Sequence, residues 1–196
     1  MNTQTHVLMG AVLFGGTVSG GQTAAAVVGG LLPDLPAILM VVWARWWAAR
    51  SPREIFGTLY FSRRWQVLLA PWHSVPLWGA GVALGWASAS PVLIAFAASG
   101  LIHVGIDFFL HASDAHRHFW PFSDWRFESP VSYWDSAHHG RLFQPFEAAL
   151  AIGLTSVLLM QYTSVWAVAA LGVVLVLYVA QMAYFLRALP RQSRKT

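Results

Sequence analysis

The chain has 196 residues, of which 57% are apolar and only 10% are charged, and its formal net charge is +4. Soluble domains are typically about 45–50% apolar and about 25% charged, so this composition argues against a soluble domain and predicts an integral membrane protein. The sequence contains no cysteine, which excludes disulfides, thiolate metal sites and cysteine nucleophiles. The length favours a single membrane domain over residues 1–196, and the start of the sequence has no basic segment typical of a cleaved signal peptide.

The first apolar segments are short and irregular. Residues 7–18 and 23–32 each fall below the length of about 20 residues that a spanning helix needs, and we expect them to form a helical hairpin around residues 19–21. The Pro-Asp-Leu-Pro stretch at residues 33–36 then breaks the helix, because proline removes a backbone donor. Residues 37–49 contain three tryptophans and Arg45, and Arg50 follows directly. This pattern predicts a helix lying at or entering the membrane interface.

Four longer apolar segments follow. Residues 67–87 and 91–110 are joined by a short link, which predicts antiparallel neighbours. Residues 146–161 and 164–186 form a second pair, and the last segment carries no charge. At about 1.5 Å per residue it can cross a hydrocarbon core of about 30 Å. The predicted fold is an all-α, polytopic helical bundle with about four firm transmembrane helices plus an N-terminal helical hairpin.

The basic residues fall mainly into three groups, at residues 45–64, 117–141 and 187–195. Lys and Arg mark cytoplasmic loops, so we expect all three groups on the cytoplasmic side of a multi-pass protein of the bacterial inner membrane type, with a cytoplasmic C-terminus. These basic groups flank apolar spans, so membrane topology and contact with anionic lipid explain them better than nucleic-acid binding does. The polar loop at residues 112–144 is rich in His, Asp and aromatic residues, and we expect it to be folded and functional.

The strongest chemical signal is the four-residue spacing of His103, Asp107 and His111. Residues four apart share one face of a helix, so these side chains line a single stripe at the end of a membrane helix. Ionisable groups in such a place usually have a function, and imidazole with carboxylate suits zinc, manganese or iron. The alternative is that His103 and Asp107 simply hydrogen-bond to each other across one turn.

Three further side chains, His6, Asp34 and His73, are expected to reach the same membrane face. Each has a simpler explanation. Asp34 is a plausible helix N-cap, because aspartate accepts hydrogen bonds from free backbone N–H groups. His6 would be an ordinary terminal histidine and His73 an interfacial one. Their expected position beside Asp107 favours a shared metal site.

The polar loop offers candidates for substrate binding, because arginine forms paired hydrogen bonds with phosphate or carboxylate. The alternative is that its arginines serve topology and lipid contact, and that its paired histidines form a solvated surface. The candidates for substrate binding are Arg117, His118, Arg126, His138 and His139, with Asp114 and His116 as additional candidates for the metal.

Several short motifs, in this order, carry a resemblance to a known family. They are Thr5-His6, Gly30-Leu31-Leu32-Pro33-Asp34, His73-Ser74, Gly100-Leu101-Ile102-His103-Val104-Gly105-Ile106-Asp107 and Trp120-Pro121-Phe122-Ser123. The set resembles the predicted membrane-bound metal-dependent hydrolases of the YdjM-like group, which are themselves similar to zinc-dependent phospholipase C. The resemblance covers roughly residues 1–125. It implies a helical metal site with His6, Asp34, His73, His103 and Asp107 as ligands, and with Asp107 bridging two metals. The chain has no clear late His-x-x-x-Glu pair, which departs from the phospholipase pattern.

These observations predict a membrane-bound metal-dependent hydrolase that acts on a phosphoester or lipid-related substrate at the cytoplasmic face. The expected cofactor is a divalent metal, with zinc favoured over manganese or iron, and Asp34 and Asp107 are the expected catalytic residues. The metal ligands are expected to be His6, Asp34, His73, His103, Asp107 and His111. Two other functions remain open. A divalent-metal transporter or sensor would place its ligands near the bilayer midplane. A non-catalytic membrane assembly factor would use the Trp-rich surface as an interface.

Overall fold

The structure is a computed structural model that describes residues 1–16 and 20–188, and every regular element within those residues is helical. A π-helical turn (Ile55–Leu59) and 3-10 turns at Ala70–His73 and Ser136–His138 lie between the α-helices. The α-helices in chain order are α1 (Thr3–Phe14), α2 (Gly20–Leu31), α3 (Leu35–Trp46), α4 (Pro52–Glu54), α5 (Arg63–Leu69), α6 (Val75–Ala87), α7 (Pro91–Phe108), α8 (Gly140–Gln161) and α9 (Val165–Ala188). The predicted all-α bundle is confirmed.

Within the described residues, four stretches are long and apolar enough to cross a membrane. They are Arg63–Ala87, Pro91–Phe108, Gly140–Gln161 and Val165–Ala183. Helices α2 and α3 pass the same test only as a pair, and the chain bends by 60° between them. Such a bend is found in a broken span or a re-entrant loop. The described part of the chain therefore has the four long apolar stretches that the sequence predicts, preceded by short helices that do not span singly.

Helix α7 is the centre of the bundle, and α1, α2 and α6 pack against it. Glycine permits the closest of these contacts: a Cβ added at Gly29 would lie 2.0 Å from the carbonyl oxygen of Phe96. On the other side of α1, Leu8 and Ala11 form an apolar core with residues of α8 and α9. The start of α1 is thereby held between α7 and α8.

A separate small core supports the segment between α3 and α5. Met40 and Ala44 pack there on Ile55. At the end of α3, Trp46 and Trp47 have exposed fractions of 77% and 76%. Exposed tryptophans next to arginines fit the predicted interfacial segment, whose helix ends at Trp46 rather than at residue 49.

Three boundaries differ from the predictions in ways that matter for function. Helix α1 begins at Thr3 instead of residue 7, so His6 lies inside the helix. The predicted helix at residues 67–87 is broken before Ser74, whose hydroxyl caps α6 by accepting from the Leu77 backbone N–H at 3.2 Å. Helix α8 begins at Gly140 and contains Pro145, so the polar loop ends at residue 139 rather than 144. Pro145 lies in the second turn of α8, where proline removes one backbone hydrogen bond, and the helix continues through it.

Two predicted features lie partly outside the described residues. Of the hairpin turn predicted at residues 19–21, residue 19 is outside them, whereas Gly20 and Gly21 begin α2. The C-terminal basic residues from 189 onward are also outside them. The side of the membrane on which the C-terminus lies stays a prediction.

Candidate metal site

Four ionisable side chains from three separate parts of the chain meet at one end of the bundle. Asp34 comes from the bend between α2 and α3, His73 from the 3-10 turn before α6, and His103 and Asp107 from the last turns of α7. One potential ligand atom from each lies within 4.8 Å of the others. We call these four residues the Asp–His cluster, and they could bind a metal ion.

The distances within the Asp–His cluster suit a cation. Asp107 Oδ2 lies 3.1 Å from His103 Nε2 and 3.9 Å from His73 Nε2. Asp34 Oδ1 lies 3.6 Å from His103 Nε2 and 3.8 Å from His73 Nε2. Ligand atoms about 2.0–2.2 Å from a tetrahedral cation are about 3.3–3.6 Å from one another. Small adjustments of these side chains would therefore complete a coordination shell.

The hydrogen-bond partner of His103 fixes which of its nitrogens can bind a metal. Its Nδ1 lies 2.7 Å from the carbonyl oxygen of Gly30. A carbonyl oxygen only accepts, so Nδ1 carries the hydrogen and Nε2 is the nitrogen left to bind a metal. Nε2 faces carboxylate oxygens of Asp34 and Asp107. Such fixing of the ring by a backbone carbonyl is characteristic of metal-binding histidines.

Burial gives a second reason to expect a cation. His73, His103 and Asp107 are each 1% exposed, whereas the side chain of Asp34 is 20% exposed. Both ring nitrogens of His73 and Nε2 of His103 are buried and have no hydrogen-bond partner among the described residues. Buried acceptors and carboxylates are costly unless a donor or a positive charge compensates them. The Asp–His cluster is thus closed on most sides and accessible near Asp34.

The first turn of α1 contacts both carboxylates of the Asp–His cluster from the outside. The Thr3 hydroxyl donates to Asp34 Oδ2 at 2.5 Å. His6 Nε2 lies 2.9 Å from Asp107 Oδ1, and the amino nitrogen of Met1 lies 2.8 Å from the same oxygen. His6 therefore contacts a cluster member, but among the described residues it is not part of the compact group of four.

His111 lies at the edge of the Asp–His cluster, with its Nε2 3.5 Å from Asp107 Oδ2. Its Nδ1 lies 2.8 Å from Asp114 Oδ2, which also accepts from Trp134 Nε1 at 3.0 Å. Burial lowers the pKa of His111, but the negative charges of Asp107 and Asp114 outweigh burial and raise it to about 9. Asp114 and Trp134 hold this ring in place, although His111 is outside the group of four among the residues described.

Two more histidines of the polar loop cover His73. The ring of His116 stacks on it at 3.6 Å, and the ring of His118 lies 6.5 Å away, edge-on. Burial lowers the pKa of His118 to about 4 and that of His116 well below its usual range, so both rings are neutral near pH 7. His118 is the substrate-binding candidate that the structure brings next to the Asp–His cluster.

The arginine candidates are engaged elsewhere in the loop. Arg117 Nη1 donates to Asp124 at 2.8 Å. Arg126 donates to the carbonyl oxygen of Ala115 at 3.2 Å and to Gln66 Oε1 at 3.1 Å. These bonds tie the loop to itself and to α5, and the structure gives neither guanidinium a contact with the Asp–His cluster.

The adjacent histidine candidates also have local roles. His138 Nδ1 lies 2.8 Å from Asp135 Oδ2. His139 is exposed and adopts a left-handed backbone conformation (φ 65°) just before α8. The structure supports the solvated alternative for this pair, and their role in substrate binding stays a prediction.

Sequence reasoning did not single out two tyrosines near the site. Burial raises the pKa of Tyr60 and Tyr133, and the negative charges of Asp114, Asp34 and Asp107 raise it further. Both phenols are thus protonated, and they lie close enough to the carboxylates for the negative charges to stabilise this protonated form. No spacing or motif in the sequence marks these tyrosines, because they approach the site only through the folding of two separate loops.

Comparisons with known proteins add nothing to this geometry. No family model matches the chain, and no match was found among curated proteins or among solved structures. The function is therefore inferred from the geometry of the Asp–His cluster.

Proposed function

We propose that the protein is a membrane-bound metal-dependent hydrolase that acts on a phosphoester or lipid-related substrate at the cytoplasmic face. The observation that supports this best is the Asp–His cluster, in which two buried imidazole nitrogens, with no hydrogen-bond partner in the described part of the chain, face two carboxylate oxygens. Two nitrogen and two oxygen ligands suit zinc, and also manganese or iron. The resemblance of the ordered motifs to the YdjM-like hydrolases points in the same direction.

The roles of the residues follow from their exposure. When bound, a divalent cation would polarise a phosphoryl or acyl oxygen and lower the pKa of a water molecule to about 7. Asp34 is the accessible cluster member, so its carboxylate is placed to accept a proton from an attacking water. Asp107 is buried and contributes fixed negative charge. The neutral rings of His116 and His118 shield His73 from bulk water on the loop side.

The position of the Asp–His cluster favours a lipid-borne substrate. The cluster lies where α7 ends, at the bend between α2 and α3, and at the 3-10 turn inside the stretch Arg63–Ala87. The basic segment at residues 45–64 follows that bend, and its positive charge favours the cytoplasmic side. A lipid headgroup at this level would approach the cluster from the side of Asp34.

Elemental analysis of protein purified in detergent tests the proposal. We expect at least one divalent metal per wild-type chain and almost none in the His103→Ala, Asp107→Ala double variant. His138→Ala is a matched control, since that histidine pairs with Asp135 away from the cluster. Equal and negligible metal in the wild type and the double variant would remove the proposal. A screen of phosphoesters with and without chelator would then identify the substrate class.

A divalent-metal transporter or sensor is the second candidate, and the burial of three of the four cluster residues favours it. A transporter would move the metal across the bilayer. Uptake of labelled metal into vesicles containing the protein distinguishes the two functions, because a hydrolase retains its metal and produces no uptake.

A further inference from the structure

We infer that the first turn of α1, fixed in place by Glu147 of α8, orients both carboxylates of the Asp–His cluster. Glu147 and His6 would then be positioning residues. The inference rests on the proposed function, since it takes the cluster to be a cation site. It goes further by coupling that site to a buried carboxylate on a different membrane helix.

Glu147 is fully buried, with an exposed fraction of 0%, and its carboxylate is occupied entirely by the start of α1. Oε1 accepts from the backbone N–H of Asn2 at 2.7 Å and from the Thr5 hydroxyl at 2.8 Å. Oε2 accepts from the side-chain amide of Asn2 at 3.0 Å. A buried carboxylate with three donors is strongly held, because losing them would leave a charge without compensation. These bonds fix the start of α1 relative to α8.

Asn2 transmits this constraint into the helix. Its carbonyl oxygen accepts from the backbone N–H groups of Thr5 at 3.0 Å and His6 at 3.3 Å, which begins α1. Its side-chain oxygen accepts from Gln181 of α9 at 2.7 Å. The start of α1 is therefore held by two other helices, and the direction of the His6 side chain follows from it.

The same turn reaches both carboxylates of the Asp–His cluster. The Thr3 hydroxyl binds Asp34 Oδ2, which leaves Oδ1 facing the cluster histidines. His6 Nε2 binds Asp107 Oδ1, which leaves Oδ2 facing them. In each carboxylate, one oxygen is thus hydrogen-bonded to the first turn of α1, and the other oxygen faces the histidines of the cluster. Losing a partner that orients a metal ligand typically costs about 10–100-fold in metal affinity.

His6 supports the site from behind rather than joining it. Its Nε2 is engaged by Asp107, and its ring stacks on that of His103 at a centroid distance of 3.6 Å and an angle of 12°. The stacked ring restricts His103 to the orientation in which Nε2 faces the carboxylates. The sequence predicts His6 as a metal ligand, whereas this inference gives it a positioning role; among the described residues it contacts Asp107 but lies outside the group of four.

Cobalt binding to the full-length chain in detergent tests the inference. Affinity for Co²⁺ and the visible absorption of the bound ion report on the number and geometry of its ligands. We expect Glu147→Ala to weaken Co²⁺ binding about 10–100-fold and to change the absorption. Glu147→Gln keeps one oxygen acceptor for the Asn2 backbone and Thr5, and should restore most of the affinity.

Thr155→Val is the matched control. It removes another buried hydroxyl from α8, but that hydroxyl donates to Ala151 within the same helix at 2.8 Å. Its Co²⁺ affinity and spectrum should equal those of the wild type.

The outcomes separate this inference from the proposed function. Wild-type affinity and spectrum in Glu147→Ala would overturn the inference and leave the cation site standing. Failure of the wild type to bind any divalent cation would overturn both. If Glu147→Ala cannot be purified, Thr5→Val decides, because it removes one donor to Glu147. Several-fold weaker binding would support the inference, and unchanged binding would overturn it.

Discussion

Removing His103 should abolish most of the stabilisation that a bound cation gives to the protein. His103 supplies one of the four ligand atoms, with its Nε2 3.1 Å from Asp107 Oδ2 and 3.6 Å from Asp34 Oδ1. A cation that binds only the folded state stabilises it by about 2.7 kcal/mol at a concentration of 100 times Kd. If His103→Ala weakens binding about 100-fold, the upper end of the range for lost orienting partners, the same concentration gives only about 0.4 kcal/mol.

These free energies translate into a measurable shift in melting temperature. For a chain of about this size 1 kcal/mol corresponds to roughly 2–4 °C. Addition of zinc to chelator-treated protein should therefore raise the Tm of the wild type by about 5–11 °C and that of His103→Ala by about 1–2 °C. The assay is thermal unfolding in detergent with and without zinc, and His138→Ala should behave as the wild type. Equal shifts in His103→Ala and the wild type would refute the reasoning.

Three further predictions concern the surroundings of the Asp–His cluster. Asp114→Asn should weaken Co²⁺ binding by about 10-fold or less, because it alters the bond that holds His111 at the edge of the cluster; a loss as large as that of His103→Ala would contradict this. Gly29→Leu should greatly reduce the yield of folded protein, because a Cβ there would lie 2.0 Å from a backbone oxygen, whereas Gly79→Leu, with nothing within 4 Å of its Cβ, should be tolerated. His118→Phe should reduce the loss of stability between pH 6.5 and pH 4, because the folded-state pKa of His118 is lowered to about 4 and the unfolded chain binds the proton first. Chemical denaturation at several pH values measures this, and an unchanged pH profile would argue against a buried neutral His118.

The parts of the site that follow from local spacing could be predicted from the sequence. Four-residue spacing on one helix places His103 and Asp107 on the same face, and in the structure His103 Nε2 lies 3.1 Å from Asp107 Oδ2. The proline-flanked Asp34 predicts a break, and α2 and α3 meet there at 60°. Topology then brings His73 to the same end of the bundle. Local periodicity and the helix break were sufficient for His103, Asp107 and Asp34, whereas His73 also required the order of the membrane segments.

The contacts that support the site could not be predicted in this way. Glu147 binds Asn2, which is 145 residues away in the chain, and nothing in either segment indicates the other. The loop arginines illustrate the same limit. Arg117 and Arg126 are predicted to bind substrate, and in the fold they donate to Asp124 and to the carbonyl oxygen of Ala115, so their role in substrate binding stays a prediction. A residue type indicates what a side chain can bind, and only the fold decides which partner it meets.

X-ray absorption spectroscopy of the zinc-loaded protein tests the central claim most directly, because it reports the atoms bound to the metal. The account predicts two imidazole nitrogens and carboxylate oxygens at about 2.0–2.2 Å, with the imidazole signal reduced in a His73→Ala variant. A spectrum of zinc surrounded only by water or other oxygen ligands, unchanged by that variant, would contradict a cation held by the Asp–His cluster.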